Sequence, residues 1–287
     1  MRVIISAGGT GGHIYPALAI INKIKEKEPD SEILYIGTTD RMEKDLIPSL
    51  GYKYEALEVK GLKRKITLEN IKTVTCFITA IKKAKIIIKD FDPDIVIGCG
   101  GYVTAPVIYA AKKLGKKTFI HEQNSVVGLA NKFLARYTDK VGVSFESTIK
   151  DFPKDKAILT GNPCSEKALS IKPTTKEKLG VNKDKKLVLI VMGSLGSRSI
   201  NDKIFSFVDK FRGKNYSVII VTGNSYYDKV KERRVPDNVK VVPFIYEMPS
   251  VMKITDLMVT RAGASTISEI TATLVPSIFI PSPYVVN

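Results

Sequence analysis

Apolar residues along the chain fall into short dense runs separated by longer stretches of helical period. Val3-Ile4-Ile5 opens the series, and the pattern predicts strands near 2–7, 32–36, 94–98, 117–120 and 139–143. Helical stretches lie near 16–28, 40–48, 67–89, 103–114 and 127–136. Unbroken apolar runs of this length are what strands buried on both faces show. Their alternation with helices predicts a parallel sheet covered on both sides. Two breaker clusters, Thr160-Gly161-Asn162-Pro163 and Lys172-Pro173-Thr174-Thr175, interrupt the pattern. It then restarts with a strand at Leu187-Val188-Leu189-Ile190-Val191, a helix from Ile200 to Phe211, and strands near 216–221, 239–242, 256–259 and 277–280. The expected architecture is α/β, with two doubly wound parallel-sheet domains at 1–162 and 163–287. The second is expected to be incomplete, because its pattern stops just after a strand with no covering helix.

Glycines punctuate the strand-to-helix turns. Gly8-Gly9-Thr10-Gly11-Gly12-His13 follows the first run, and Pro16 marks the expected start of the next helix. Gly98-Cys99-Gly100-Gly101-Tyr102 and His121-Glu122-Gln123-Asn124 follow two further runs. In the second half, Met192-Gly193-Ser194-Leu195-Gly196-Ser197 repeats the plan. A strand, a glycine loop and a helix aim free N–H groups and a helix dipole at an anion. Neither G-x-G-x-x-G nor a P-loop is present, so the loops are not dinucleotide or Walker fingerprints. Both histidines of the chain, His13 and His121, sit at this rim. Arg261-Ala262-Gly263-Ala264-Ser265-Thr266 precedes a helix carrying Glu269. Glu269 is placed either to accept from two vicinal hydroxyls, as a ribose offers, or to partner Ser265 in a helix cap.

With 287 residues the chain has room for two ordinary domains. Its net charge of +16, from 45 Lys+Arg against 29 Asp+Glu, favours polyanionic or phosphorylated partners and anionic lipid. Nucleic acid is not expected, since no reading module and no aromatic-basic stacking surface is present. No segment is apolar enough to span a bilayer, and the first strand leaves no room for a signal peptide. Cys76, Cys99 and Cys164 fit reduced thiols rather than a disulfide frame or zinc site, and no histidine pair has helical ligand spacing, so neither metal nor cofactor is expected. Lysines and arginines at 60, 63, 64, 65, 72, 82, 83, 85 and 89 face one acid, Glu69. They border an amphipathic helix whose apolar residues either pack on the sheet or rest on an anionic membrane. In the membrane reading, Phe77, Ile78 and Ile81 insert.

These motifs together resemble the MurG family of GT-B glycosyltransferases over essentially the whole chain. The resemblance rests on Gly8 to His13 with Pro16, on Gly37-Thr38-Thr39-Asp40-Arg41-Met42-Glu43, on Gly98 to Val103 with Pro106, and on His121 to Asn124 with Gly128 and Asn131. It implies two Rossmann-like domains facing across a cleft. It also implies inverting, metal-independent transfer of N-acetylglucosamine from UDP-GlcNAc to the lipid-linked acceptor lipid I, giving lipid II at the cytoplasmic face of the cell membrane. The acceptor and membrane would belong to 1–162, with Gly8, Gly9, His13, Gly100, Gly101, Tyr102, His121 and Glu122 in its loops. The donor would belong to 163–287, with Ser194, Ile245, Arg261, Ala264, Thr266 and Glu269, aided by Thr10, Gly11, Gly12 and Asn124. His13 is the implied essential histidine, at the acceptor phosphate or at the attacking hydroxyl as its base, with Asp40 as second candidate base or helix N-cap. Departures cluster on the donor side: Cys164-Ser165 stands where the family has Val-Arg, Leu195 where it has Gln, and Ser265 where it has Leu. A catalytically impaired, truncated homologue that binds acceptor or membrane is therefore the alternative expectation. A sugar-nucleotide epimerase would share the fold but not this set of glycine loops.

Overall fold

The computed structural model describes residues 1–61, 68–193 and 196–282, with the backbone alone for 68–72. The expected basic residues Lys63, Arg64 and Lys65, and Ser194 of the second glycine loop, lie outside the described residues. The chain divides into two compact units, Met1–Pro163 and Cys164–Asn287.

In the first unit β1 (Arg2–Ser6), β2 (Glu32–Thr38), β3 (Lys53–Leu57), β4 (Ile95–Gly98), β5 (Lys117–Glu122), β6 (Lys140–Val143) and β7 (Ala157–Leu159) form one parallel sheet in the order β3-β2-β1-β4-β5-β6-β7. Val3, Ile4, Ile5 and Ile36 are wholly buried because β1 and its neighbours are covered on both faces. Each such aliphatic side chain contributes about 1.5–3 kcal/mol. Helices α1 (Gly11–Lys27), α2 (Glu43–Ser49), α3 (Leu68–Phe91), α4 (Thr104–Lys113) and α5 (Leu129–Leu134) provide the cover. The strand order reverses between β1 and β4, and the carboxyl ends of the strands at such a reversal are where open parallel sheets take their ligands.

Two expectations need correction here. Pro16 does not begin α1; the helix starts at Gly11 and carries Pro16 inside it. Proline costs one bond, to the carbonyl of Gly12, and the glycines at 11 and 12 offer little crowding to its ring. His13 is consequently on a helical turn rather than in a loop. Strands β3 and β7, absent from the sequence reading, are the two edges of the sheet. In β3, Lys53 to Leu57, polar and charged residues interrupt the apolar pattern, and in β7 the apolar Ala157 to Leu159 is only three residues long and largely exposed.

In the second unit α6 (Pro163–Ser170), which begins at the division, leads to a parallel sheet in the order β10-β9-β8-β11-β12. Its strands are β8 (Lys186–Val191), β9 (Tyr216–Val221), β10 (Val239–Val242), β11 (Leu257–Thr260) and β12 (Ser277–Phe279). Helices α7 (Arg198–Ser206), α8 (Asn224–Val230), α9 (Met248–Met252) and α10 (Ala264–Thr273) flank it. The order reverses between β8 and β11, the same plan as in the first unit. The expected helix from Ile200 to Phe211 is two pieces, α7 and a 3-10 turn at Val208–Phe211.

Candidate functional site

At the carboxyl ends of β1 and β4 two glycine loops meet backbone to backbone. Gly8 N–H donates to the Gly100 carbonyl at 3.3 Å. A Cβ on Gly101 would stand 2.3 Å from the Gly8 oxygen, and Gly101 holds φ at +86°, so only glycine fits there. Thr10 is the N-cap of α1, and no side chain caps the helix. The N–H groups of Gly11 and Gly12 thus have no capping side chain, and the helix dipole favours an anion at this end.

His13 stands on the first turn of α1, half-buried, with its ring against the other loop. A Cβ on Gly100 would meet His13 Nδ1 at 2.5 Å. Burial lowers the His13 pKa from 6.5; Glu122, the Gln123 side chain, the Cys99 carbonyl and Glu43 oppose this by favouring the protonated ring. The imidazole is therefore neutral at pH 7 and has carboxylates nearby to steady it once charged.

The carboxylates themselves are already engaged. Glu122, at the end of β5, accepts from Asn124 N–H at 2.9 Å, Asn124 Nδ2 at 3.0 Å, Gly128 N–H at 2.9 Å and Asn131 Nδ2 at 3.0 Å. It fixes the loop before α5 and leaves Asn124 turned inward on it. Glu43 was not among the candidates, yet it is wholly buried beneath the first glycine loop. Its Oε1 accepts from Thr38 Oγ1 at 2.7 Å and Thr38 N–H at 3.2 Å, and both oxygens accept from Gly9 N–H at 3.3 Å. Gly9 is thereby withdrawn from anion binding, which leaves the α1 end as the electropositive part of the loop.

The remaining first-unit candidates separate. His121 is buried, and its Nε2 faces the Gly161 carbonyl at 3.0 Å, so it ties β5 to the loop after β7. Burial lowers its pKa too. Asp40 is exposed and lies 3.8 Å from Arg41; the cap of α2 is Met42, so the N-cap expected of Asp40 is not formed. Tyr102 is exposed, with its ring over Gly61.

In the second unit the equivalent place lies at the loops after β8 and β11. Gly196 holds φ at +71°, and a Cβ there would stand 2.2 Å from the Thr222 carbonyl. Arg261 donates through Nη1 to the carbonyls of Ile280, at 3.1 Å, and Pro281, and through Nη2 to Ser197 Oγ at 3.4 Å. It binds three rim loops together. Helix α10 starts at Ala264 with Gly263 as its uncapped N-cap. The cap expected of Ser265 is thus not formed, and the helix end is open for an anion. Thr266 and Glu269 follow on its first two turns, and burial pushes the Glu269 carboxyl up to about 7, opposed by Lys167. Ile245 packs on the core beneath the loop after β10. A recess of about 510 Å³, lined by residues including Lys185, Arg212, Lys214 and Lys240, lies at the opposite ends of these strands and holds none of the candidates. Among the described residues, no group of three or more His, Cys, Asp or Glu could hold a metal ion.

Residues 3–143 match the glycosyltransferase family 28 N-terminal domain, and residues 187–287 match its C-terminal domain. The chain is 48% identical to the UDP-N-acetylglucosamine--N-acetylmuramyl-(pentapeptide) pyrophosphoryl-undecaprenol N-acetylglucosamine transferase of Bacillus cytotoxicus and 49% identical to transferase 1 of Bacillus cereus; each match covers all of this chain and 80% of the relative. The crystal structure of Acinetobacter baumannii MurG superposes with a TM-score of 0.70 at 27% identity, covering 99% of this chain and 80% of that one. A UDP-GlcNAc 2-epimerase from Neisseria meningitidis superposes at 0.65 with 17% identity, a likeness of fold alone. The expectation of an impaired homologue gains nothing from these relatives.

Proposed function

The chain belongs to the MurG group of glycosyltransferase family 28, and from that premise we propose how its two units divide one reaction. The protein is a UDP-GlcNAc-dependent glycosyltransferase that moves N-acetylglucosamine onto lipid I to form lipid II in peptidoglycan synthesis. The unit Met1–Pro163 takes the lipid-linked acceptor. The N–H groups of Gly11 and Gly12 receive its diphosphate at the α1 end, beside the Gly100–Gly101 loop. His13, neutral at pH 7, removes the proton of the attacking hydroxyl. That hydroxyl displaces UDP from the anomeric carbon with inversion. Imidazolium forms as the hydroxyl loses its proton, and the nearby Glu122 and Glu43 charges stabilise it. Asp40, exposed and beside Arg41, is the weaker candidate for the base.

The unit Cys164–Asn287 holds UDP-GlcNAc. The diphosphate lies at the N-terminus of α10 and at the loop after β8, where backbone N–H groups stabilise the leaving charge. Glu269 accepts from the ribose hydroxyls, and the backbone near Ile245 meets the uracil. The observation that carries this reading is the position of His13, an imidazole held neutral on the first turn of a helix that starts at the strand-order reversal.

Membrane contact accompanies an acceptor of this kind. No described helix is long and apolar enough to cross a bilayer. Helix α3 instead presents Val74 and Ile78, 50% and 48% exposed, one turn apart. Lys82 follows a turn later, and the edge of Phe77 meets the partly exposed Phe133 ring at 6.4 Å. This face rests on an anionic membrane surface from the cytoplasmic side.

The test is transfer from UDP-GlcNAc to lipid I by the purified chain and its His13→Ala variant. The expected loss in kcat is about 10²–10⁴-fold, with donor KM nearly unchanged. Full activity in the variant would remove His13 from the role of base.

A further inference from the structure

A base that works through one imidazole nitrogen must carry its proton on the other. The two nitrogens of His13 differ in their surroundings. Nδ1 is buried, without a hydrogen-bond partner within ordinary geometry, and it points at the turn formed by Cys99 and Gly100. The polar groups the ring meets include the Cys99 carbonyl, in the turn that Nδ1 faces, and the side chain of Gln123.

Gln123 is 1% exposed, directly after β5. Its Nε2 donates to the Cys99 carbonyl at 2.8 Å. A carbonyl can only accept, so the amide cannot be turned over, and Oε1 must face the other way. Oε1 is also buried without a partner. An orphaned acceptor and an orphaned ring nitrogen thus share one buried corner. Leaving both unmade carries the desolvation cost of two buried polar atoms.

We infer that Gln123 is a positioning residue for His13: its amide oxygen, together with the Cys99 carbonyl, accepts the Nδ1 proton and leaves Nε2 as the basic nitrogen. A proton on Nδ1 then satisfies the ring nitrogen and the amide oxygen at once, and the Cys99 carbonyl, which already holds Gln123 Nε2, has a second lone pair to offer. The same contact steadies the imidazolium when Nε2 takes the proton of the acceptor hydroxyl. The charged groups facing the ring are Glu122 from β5 and Glu43 from α2, and both are held by other donors. Neither competes with Gln123 for the Nδ1 proton. The inference rests on the reading of His13 as base, although the protonation it assigns can be measured separately.

Only two histidines are present, so uniformly ¹⁵N-histidine-labelled protein gives two imidazoles, told apart by the His13→Gln variant. At pH 7.5 the expected result is a neutral His13 with its proton on Nδ1. A proton on Nε2 overturns the inference, without any variant being made. In Gln123→Leu the Nδ1 preference is expected to weaken, since only the Cys99 carbonyl remains to accept. The kcat should fall by about tenfold or more, with donor KM within about twofold, and the acid limb of the kcat profile should move to lower pH. Gln123→Glu restores an acceptor and adds charge, so its acid limb should move to higher pH. A purely structural role for Gln123 would lower the folded fraction in both variants and leave the limb where it is, which also overturns the inference. If His13→Ala keeps full activity while the wild-type proton is on Nδ1, the base reading fails and the positioning stands as structure only.

Discussion

Glu43 reaches across 34 residues of sequence to accept the backbone N–H of Gly9, both carboxylate oxygens lying 3.3 Å from it. The contact stitches the turn between β2 and α2 to the glycine loop between β1 and α1. Close packing enforces it: a Cβ on Gly8 would stand 2.4 Å from Glu43 Oε1, and one on Gly37 would stand 2.8 Å from Glu43 Cγ. The shape of the loop is therefore set from below by a carboxylate and not by the glycines alone.

Removing that carboxylate exposes its role. Glu43→Ala strips an acceptor from Gly9 N–H, Thr38 N–H and Thr38 Oγ1 in a fully buried place. The expected destabilisation is about 3 kcal/mol, from unsatisfied buried donors at about 1–3 kcal/mol each. Glu43→Gln, which keeps one accepting oxygen, should cost less. Urea unfolding checks this, with a lower midpoint at unchanged slope. A midpoint that does not move in Glu43→Ala contradicts the buried network.

The same network shows what local sequence could and could not convey. Residues 8–13 and 98–102 were legible because strand, glycine turn and helix are contiguous and each signal is local. Glu43 and Gln123 were not. Their partners are Gly9 and Cys99, brought to them by the sheet order β2-β1-β4-β5, and no periodicity encodes that order. Edge strands β3 and β7 give weak local signals: Lys53 and Glu55 break the apolar run of β3, and β7 is only three residues long. The start of α1 was misplaced because Pro16 normally opens a helix, whereas here residues 11–13 supply a turn ahead of it. In α3, Phe77 and Ile81 pack against the core of the first unit instead of inserting, and Val74, Ile78 and Ile86 are the exposed large apolar residues.

Both histidines should couple stability of the first unit to pH. Burial lowers each pKa below the ordinary 6.5, so the unfolded chain binds more protons than the folded one between the two values. Stability is then full above pH 6.5 and falls as pH drops below it, levelling only beneath the folded pKa values. Urea midpoints at pH 7.5 and 5.5 should differ in that direction. His121→Gln should flatten part of the slope, since the glutamine amide can still donate to the Gly161 carbonyl. An unchanged slope in that variant would place the linkage elsewhere.

Glu269 carries the opposite sign. Its carboxyl, pushed up to about 7 by burial, is half-protonated at neutral pH. As an acceptor for ribose hydroxyls it works best ionised, so UDP affinity should rise between pH 6 and pH 8. Calorimetry on wild type and Glu269→Gln checks this: the variant should bind about tenfold more weakly at pH 8 and show a flat profile. Folding responds in reverse, because a raised carboxyl pKa withdraws stability as pH climbs from 4.5 towards 7. Glu269→Gln should therefore stabilise the second unit at pH 8 even as it weakens UDP binding. A variant that weakens both has lost packing, and one that binds UDP normally removes Glu269 from the donor site.

The exposed face of α3 gives the last test. Val74 and Ile78 stand one turn apart, and Lys82 extends the same face. Lys83 is unsuitable as a probe because its Nζ donates to the Ala56 carbonyl at 2.9 Å and so holds α3 to β3. Two aliphatic side chains shallowly inserted add about 1–3 kcal/mol each, and a lysine near an anionic surface adds about 1 kcal/mol. Attachment of that strength is reversible, and its ionic part is screened by salt. Val74→Asp with Ile78→Asp should abolish sedimentation with anionic vesicles, because each change removes apolar contact and adds repulsion. Lys82→Glu should weaken it and reduce its salt dependence. None of the three side chains belongs to the buried core, so urea midpoints and UDP affinity should stay at wild-type values. Vesicle binding that survives the double aspartate variant, with the fold intact, would move the membrane contact to another face.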